Sequence, residues 1–266
     1  MAARPIWSGT ISFGLVSIPV RMFSATSSKE LRFHYVDRHD LEPIGYDKVR
    51  KDTGEHVEPD DVVRAFELEN GRFVPIEPED LDRLDVELTH SVDICDFVSL
   101  DEIDPIYFRQ AYYLVPQDGG EKPYRLLVRA LEETERVGIA KVVIRNKQHL
   151  ACLRPYEGLL VVETMYHADE VRRPAEVAGE VAGEDGLRKA EVEMAKSLVE
   201  NLNAEFEPER YDDTYRAELL ELIRSKAEGG QLPEPREEEA QVVDLMQALR
   251  ESVERTQRAR GSRKSA

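Results

Sequence analysis

Asp93, Asp96, Asp101, Glu102 and Asp104 fall within twelve residues. Carboxylates at that density are the raw material of a Mg²⁺ site that activates water for phosphodiester cleavage. The spacing argues against one. Asp93 and Asp96 have opposite parity on a strand, and Asp101–Asp104 reads as a solvated turn before Pro105. The six histidines (His34, His39, His56, His90, His149 and His167) form no HExxH pair and none sits beside a cysteine at zinc-ligand spacing. No Gly-x-Ser-x-Gly elbow is present. Gly9–Gly14 lacks the Gly-Lys-Ser/Thr of a phosphate loop, and Gly229-Gly230 lies between helical stretches, where glycine ends a helix. Cys95 and Cys152 each lie in an apolar run, which gives no disulfide framework and no Cys-rich zinc site. These residues predict no catalytic centre, no cofactor and no metal, in a reducing, cytoplasmic compartment.

What remains is ionic chemistry, and its distribution matters more than its sum. The 266 residues carry a net charge of −18. Residues 1–58 are neutral, with eight basic and eight acidic side chains; residues 67–105 hold two against thirteen, and 174–244 eight against twenty. Residues 106–173 hold eleven basic against nine acidic, and 245–266 six against two. Acid confined to two blocks leaves room for an anion-binding surface elsewhere, although solubility alone is served equally well by it.

The elements that would position such a surface are mostly strands up to residue 173. Ile11, Phe13 and Leu15 alternate with polar or small residues; Val16, Ile18, Val20 and Met22 then alternate in the opposite parity. That switch predicts a bulge or bend near Gly14, as in strands that curl into barrels. Further strands are expected at Leu31–Val36, Ser91–Val98, Ala111–Val115, Gly138–Arg145, His149–Tyr156 and Leu159–Tyr166. Asn146-Lys147-Gln148 and Pro155–Gly158 read as hairpin connections, so 138–166 should form an antiparallel meander. Tyr124–Glu135 has helical spacing. From Asp40 to Asp85 the periodicity fails among prolines and glycines, in a stretch too long for an ordinary connection. It is either an unstructured insertion or an arm that gains order by meeting something else.

Pro174–Gly186 is a low-complexity linker. Leu187, Ala190, Met194, Leu198, Val199 and Leu202 then trace one helical stripe, Tyr215, Leu219, Leu222 and Ile223 a second, and Val242, Leu245, Met246, Leu249 and Val253 a third. No internal repeat is apparent. No run approaches the ~20 apolar residues of a membrane span. Ser8, Gly9, Thr10, Ser12 and Ser17 interrupt the uncharged stretch Pro5–Val20 too often for a secretory signal.

One combination is specific. Ile6-Trp7-Ser8-Gly9-Thr10-Ile11-Ser12-Phe13-Gly14-Leu15-Val16-Ser17-Ile18-Pro19-Val20 is followed by Phe33-His34, Tyr112-Tyr113-Leu114, Arg145-Asn146-Lys147 and Phe206-x-Pro-x-x-Tyr211-x-Asp213-x-Tyr215. In this order and spacing the chain resembles bacterial Ku, the end-binding family of non-homologous end joining, over about residues 4–250. The resemblance implies a mainly β protein with α: a β-barrel core over 1–173 with a bridge arm at about 31–90, a linker at 174–186 and a helical region at 187–230. Residues 231–266 would hold a further helix and a basic tail. Two copies would close a ring through which duplex DNA threads, and the C-terminal region would recruit a multifunctional ATP-dependent DNA ligase. The family's role is that of a scaffold rather than an enzyme, in the nucleoid of the cytoplasm. Many bacterial relatives carry a Cys-x-x-Cys pair in the arm; here Arg50-Lys51-Asp52-Thr53-Gly54 stands in its place, so no metal or redox function tied to that pair carries over.

A ring that holds any sequence must grip phosphates and ignore base edges. The residues expected to do so are Arg21, Arg32, Arg38, Lys48, Arg50, Lys51, Arg145 and Lys147, with the tail residues Arg255, Arg258, Arg260, Arg263 and Lys264 as further contacts. Lys48 and Arg50 share strand parity and would face the channel together. Two copies neutralising about ten phosphates predict a log–log salt slope of about −9.

Overall fold

The structure is a computed structural model and describes residues 4–82, 90–144, 147–178, 187–229 and Ser252. The chain divides into two compact units, Met1–Arg173 and Pro174–Ala266.

The first unit is built on a closed barrel. Its strands are β1 (Trp7–Phe13), β2 (Val16–Ser24), β5 (Ser91–Val98), β6 (Phe108–Pro116), β7 (Val137–Ile144), β8 (Lys147–Tyr156) and β9 (Leu159–Met165). They close in the order β1-β2-β6-β9-β8-β7-β5. Every neighbouring pair is antiparallel except β1 and β5, which run parallel with Thr10 opposite Ser91. The chain between β2 and β5 is long enough to return in the same direction. Closure leaves no strand edge unpaired, and alternate residues such as Ile11, Ile18, Val20, Met22, Leu114, Leu153 and Val162 are fully buried inside.

The parity switch at Gly14 is a chain reversal, not a bent strand. Phe13 pairs with Val16 and Ser12 with Ser17, so Gly14-Leu15 is a two-residue hairpin turn, and Gly14 takes the φ of +58° that such a turn asks of its first central residue. The meander over β7, β8 and β9 is as expected, but Lys147 and Gln148 belong to β8, paired with Ile144 and Val143. A bulge between Ile94 and Asp96 restores parity on β5, so that Asp93 and Asp96 point to the same side.

Helix α2 (Glu121–Thr134), which follows a short α1 (Pro78–Asp82) in chain order, plugs one end of the barrel. Its Tyr124, Leu127, Val128 and Leu131 join the barrel core. The Tyr124 hydroxyl donates to the Leu114 carbonyl (2.6 Å) and accepts from the Leu160 N–H (2.7 Å), stitching helix, β6 and β9 together. Gln117 fastens the approach to the helix, its backbone N–H donating to Pro19 O and its side chain to Val20 O. A smaller cluster outside the barrel wall, Val137, Cys152 and Met165, is covered by Ile103, Tyr107 and Phe108.

The arm leaves β2 after Ser24 and returns at His90. It contains a hairpin, β3 (Arg64–Glu67) and β4 (Phe73–Ile76), followed by α1. Among the described residues no strand pairs with Leu31–Val36, so the strand expected there does not form; the isolated bridges Val36–Pro43 and Val49–His56 occur instead. Those bridges mark two tight knuckles with one hydrogen-bond pattern. In the first, Asp37 N–H donates to Glu42 O, Leu41 to Asp37 O and Ile44 to Tyr35 O; in the second, Arg50 donates to Glu55 O, Gly54 to Arg50 O and Val57 to Lys48 O. The offset is 13 residues throughout, and Leu41 (φ 62°) and Gly54 (φ 76°) hold the same left-handed position. The backbone therefore repeats where the sequence gives no sign of it. Among described residues 26–81 none is buried.

In the second unit, α3 (Pro174–Ala178) occupies the start of the expected linker, and α4 (Lys189–Leu202) and α5 (Thr214–Ala227) follow the two expected stripes. Asp213 caps α5 by accepting from the Arg216 N–H. Neither helix buries a side chain: Val199, Leu202 and Tyr215 stay exposed, as do the intervening Phe206 and Tyr211, whose rings stack 5.8 Å apart. The third stripe lies outside the described residues. Among the described residues no helix is long and apolar enough to cross a membrane.

Candidate nucleic-acid interface

Strand register defines two dissimilar barrel ends. One holds the Gly14 turn and α2. At the other lie the ends of β2, β7 and β9 and the starts of β6 and β8, as Ser24–Tyr112, Phe108–Met165, Leu150–Met165 and Ile144–Lys147 pairing requires. Both stems of the arm spring from this second end. Ala25 N–H donates to Ala111 O as the chain departs, and Thr10 N–H donates to His90 O as it returns. The opening motif secures the returning stem. A side chain on Gly9 would collide with the His90 carbonyl and the Trp7 ring, so only glycine lets β1 approach His90 this closely.

The cations expected to meet phosphate distribute over this rim and the arm. Arg21 on β2 lies opposite Ser8 and Val115, exposed and out of phase with the buried Val20 and Met22. Arg32 is exposed on the departing stem. The 13-residue offset makes Arg38 and Lys51 equivalent, so each knuckle presents one exposed cation at the same place in its loop. Lys48 and Arg50 flank Val49 in the second knuckle, but their side chains are not alike. Arg50 is held in two hydrogen bonds to Asp52, of 3.0 and 2.7 Å. That pairing pushes the Arg50 guanidinium up and holds the Asp52 carboxyl below its ordinary range. Arg50 therefore meets an anion only in competition with Asp52. Lys147 opens β8 on the rim. Arg145 and the tail residues Arg255, Arg258, Arg260, Arg263 and Lys264 lie outside the described residues.

Register also brings to this rim residues that the sequence reading passed over. Arg109 is the second residue of β6, His149 the third of β8, and His167 follows β9. They lie 18 to 58 residues apart in the chain, and only the pairing of β6, β9 and β8 makes them neighbours; no local motif could have found them.

Three of the five carboxylates over 93–104 have structural partners instead. Asp93 accepts from the Ser91 hydroxyl, Glu102 from the Ser99 N–H (2.9 Å) and Asp104 from the Ile106 N–H (2.9 Å). Glu102 and Asp104 thereby cap the 3-10 turns at 100–102 and 105–107. Among the described residues no three His, Cys, Asp or Glu side chains converge as metal ligands. Burial, then Glu163, pushes the Cys152 thiol up to about 12, which makes it a packing residue rather than a nucleophile.

Comparison with known proteins agrees with this architecture. Residues 12–196 match the model of the Ku70/Ku80 beta-barrel domain. The "Non-homologous end joining protein Ku" of Symbiobacterium thermophilum is 46% identical over 95% of this chain and 63% of its own length. The protein of that name from Opitutus terrae is 43% identical over 95% of this chain and 92% of its own, and that of Bacillus subtilis is 41% identical over 95% and 82%.

Proposed function

This chain belongs to the Ku family of DNA-end-binding scaffolds, which are not enzymes, and from that premise we propose that two copies close a ring that threads onto broken duplex DNA. The observation that carries this reading is the pairing of a basic rim with an arm that has no core of its own. Phe33, Tyr35, Leu41, Ile44, Tyr46 and Val49 are all more than half exposed on the arm. A two-stranded hairpin and two knuckles without a buried side chain are at best marginally stable in water. A second copy covering those apolar side chains supplies the missing burial, and arm and rim then bound a common opening.

Within that opening Arg21, Arg32, Arg38, Lys48, Lys51, Lys147 and Arg145 contact phosphates, and Arg50 does so when it leaves Asp52. The acidic block at 67–105 faces away from the duplex. Phosphate contacts carry no base information, so the grip is independent of sequence. The exposed aromatic and aliphatic side chains between residues 199 and 215, with the region beyond 230, receive a multifunctional ATP-dependent DNA ligase, and the basic tail adds phosphate contacts. The protein needs no cofactor for binding and works at the nucleoid, in the cytoplasm.

The test is charge reversal in the arm. Replacing Lys48, Arg50 and Lys51 together with Glu weakens binding to a linear duplex in a fluorescence-anisotropy titration while sedimentation still reports a dimer. Unchanged affinity removes the knuckle from the interface, and a monomeric wild-type protein contradicts the ring.

A further inference from the structure

Arg109, Lys147, His149 and His167 form a patch on the arm-side rim of the barrel, and we propose that it extends the phosphate contact at Lys147 into a site that grips the DNA backbone with uptake of a proton at His149. The inference rests on the DNA-binding reading above and adds to it a site and a pH dependence.

The geometry comes from three strands. The chain leaving β9 continues at Tyr166, whose N–H donates to Tyr107 O (2.9 Å), just before β6. Tyr166 supports the Arg109 guanidinium, which lies 5.6 Å over its ring; the ring holds the cation in place and leaves its N–H groups free to meet an oxyanion. On β8, Lys147 and His149 are two residues apart, hence on one side of the strand, opposite Ile144 and Val142 of β7. His167 follows Tyr166 directly.

The electrostatics are one-sided. The His149 imidazole is held below its ordinary range first by burial, then by Lys147, Arg109 and His167, with only Glu170 acting in the opposite direction. Glu170 is partly engaged, since its carboxylate accepts from the His167 backbone N–H (2.9 Å). Among the described residues neither Arg109 nor Lys147 has a carboxylate partner. A net excess of positive charge around a half-buried imidazole disfavours adding one more proton. A phosphodiester seated among these groups reverses the sign of that interaction: it neutralises the cations and stabilises the imidazolium. His149 is therefore neutral in the free protein near pH 7, and duplex binding raises its proton affinity. By linkage, affinity for DNA rises as pH falls through the interval between the free and bound states.

The experiment measures binding of the full chain to a short linear duplex by anisotropy, at pH 6, 7 and 8 and over a range of salt at fixed temperature. Arg109→Gln and Lys147→Gln each reduce the magnitude of the log–log salt slope by about 0.9 for every phosphate left without its cation, hence about 1.8 for two copies. Arg109→Lys restores part of that slope. His149→Gln lacks the gain on acidification that His149 gives wild type, at most about tenfold per pH unit for each proton taken up. Lys147 is exposed at a strand end, so its variant keeps the test valid even if an Arg109 variant folds poorly. Wild-type slopes in both glutamine variants and an unchanged pH profile in His149→Gln overturn the rim site while leaving DNA binding intact. A wild-type protein that fails to bind the duplex overturns both readings.

Discussion

Tyr124 joins a helix to two strands through one hydroxyl, and the consequence is measurable. The side chain is 2% exposed, and its oxygen serves Leu114 and Leu160 at once. Removing that oxygen leaves a buried carbonyl and a buried N–H without their partner, at a cost of about 1–3 kcal/mol. Tyr124→Phe should accordingly lower the urea midpoint without altering the dependence on denaturant, whereas an unchanged midpoint would mean that water replaces the hydroxyl. The two cysteines divide just as clearly. Cys95 is exposed at the β5 bulge, and Cys152 is buried with its thiol held protonated. A thiol reagent at pH 8 should modify one cysteine per native chain and both after unfolding; rapid labelling of both in the native state would contradict the packing around Cys152. The motif residues act structurally too, since Gly9 and Trp7 fix where the arm returns.

At the scale of elements, the two knuckles give matched tests. Leu41 and Gly54 occupy equivalent left-handed positions, where a side chain is strained and glycine is not. Leu41→Gly should stabilise the first knuckle by about 0.5–1 kcal/mol and Gly54→Ala should destabilise the second by about 1 kcal/mol. Amide exchange of Asp37 and Ile44 in the first variant, and of Arg50 and Val57 in the second, reports each change, and equal protection in wild type and variants would refute the strain. The sequence made the period-2 strands β5, β7, β8 and β9 legible, along with α2, α4 and α5, because each carries its pattern in side chains. The knuckles escaped because their repeat lies in backbone hydrogen bonds, while Asp37 aligns with Arg50 and Pro43 with His56. Leu31–Val36 looked like a strand because periodicity records which residues alternate, not whether a partner strand exists. Of the site, the arm cations were readable from local charge balance. Arg109, His149 and His167 were not, since their adjacency depends on barrel closure.

For the whole molecule, the decisive property is the separation of charge. A chain of net charge −18 holds DNA only if its cations are concentrated where the duplex lies, and strand register places Arg109 and Lys147 together on the arm-side rim. Deleting the residues after Gly230 should leave duplex binding by the barrel and arm in place and, on the proposed reading, reduce end joining by an ATP-dependent DNA ligase, as read in a ligation assay with and without the truncated protein; full stimulation by the truncated form would contradict docking beyond residue 230. Binding by encirclement differs from binding on an open face in one respect: a ring needs an end to enter. Comparing the same duplex sequence as a linear fragment and as a covalently closed circle, without Mg²⁺ and at several salt concentrations, therefore tests the central claim most directly. The linear form should bind with a salt slope of about −9 and the circle far more weakly, with binding to the circle restored once it is cut. Equal affinity for the two forms would contradict the ring.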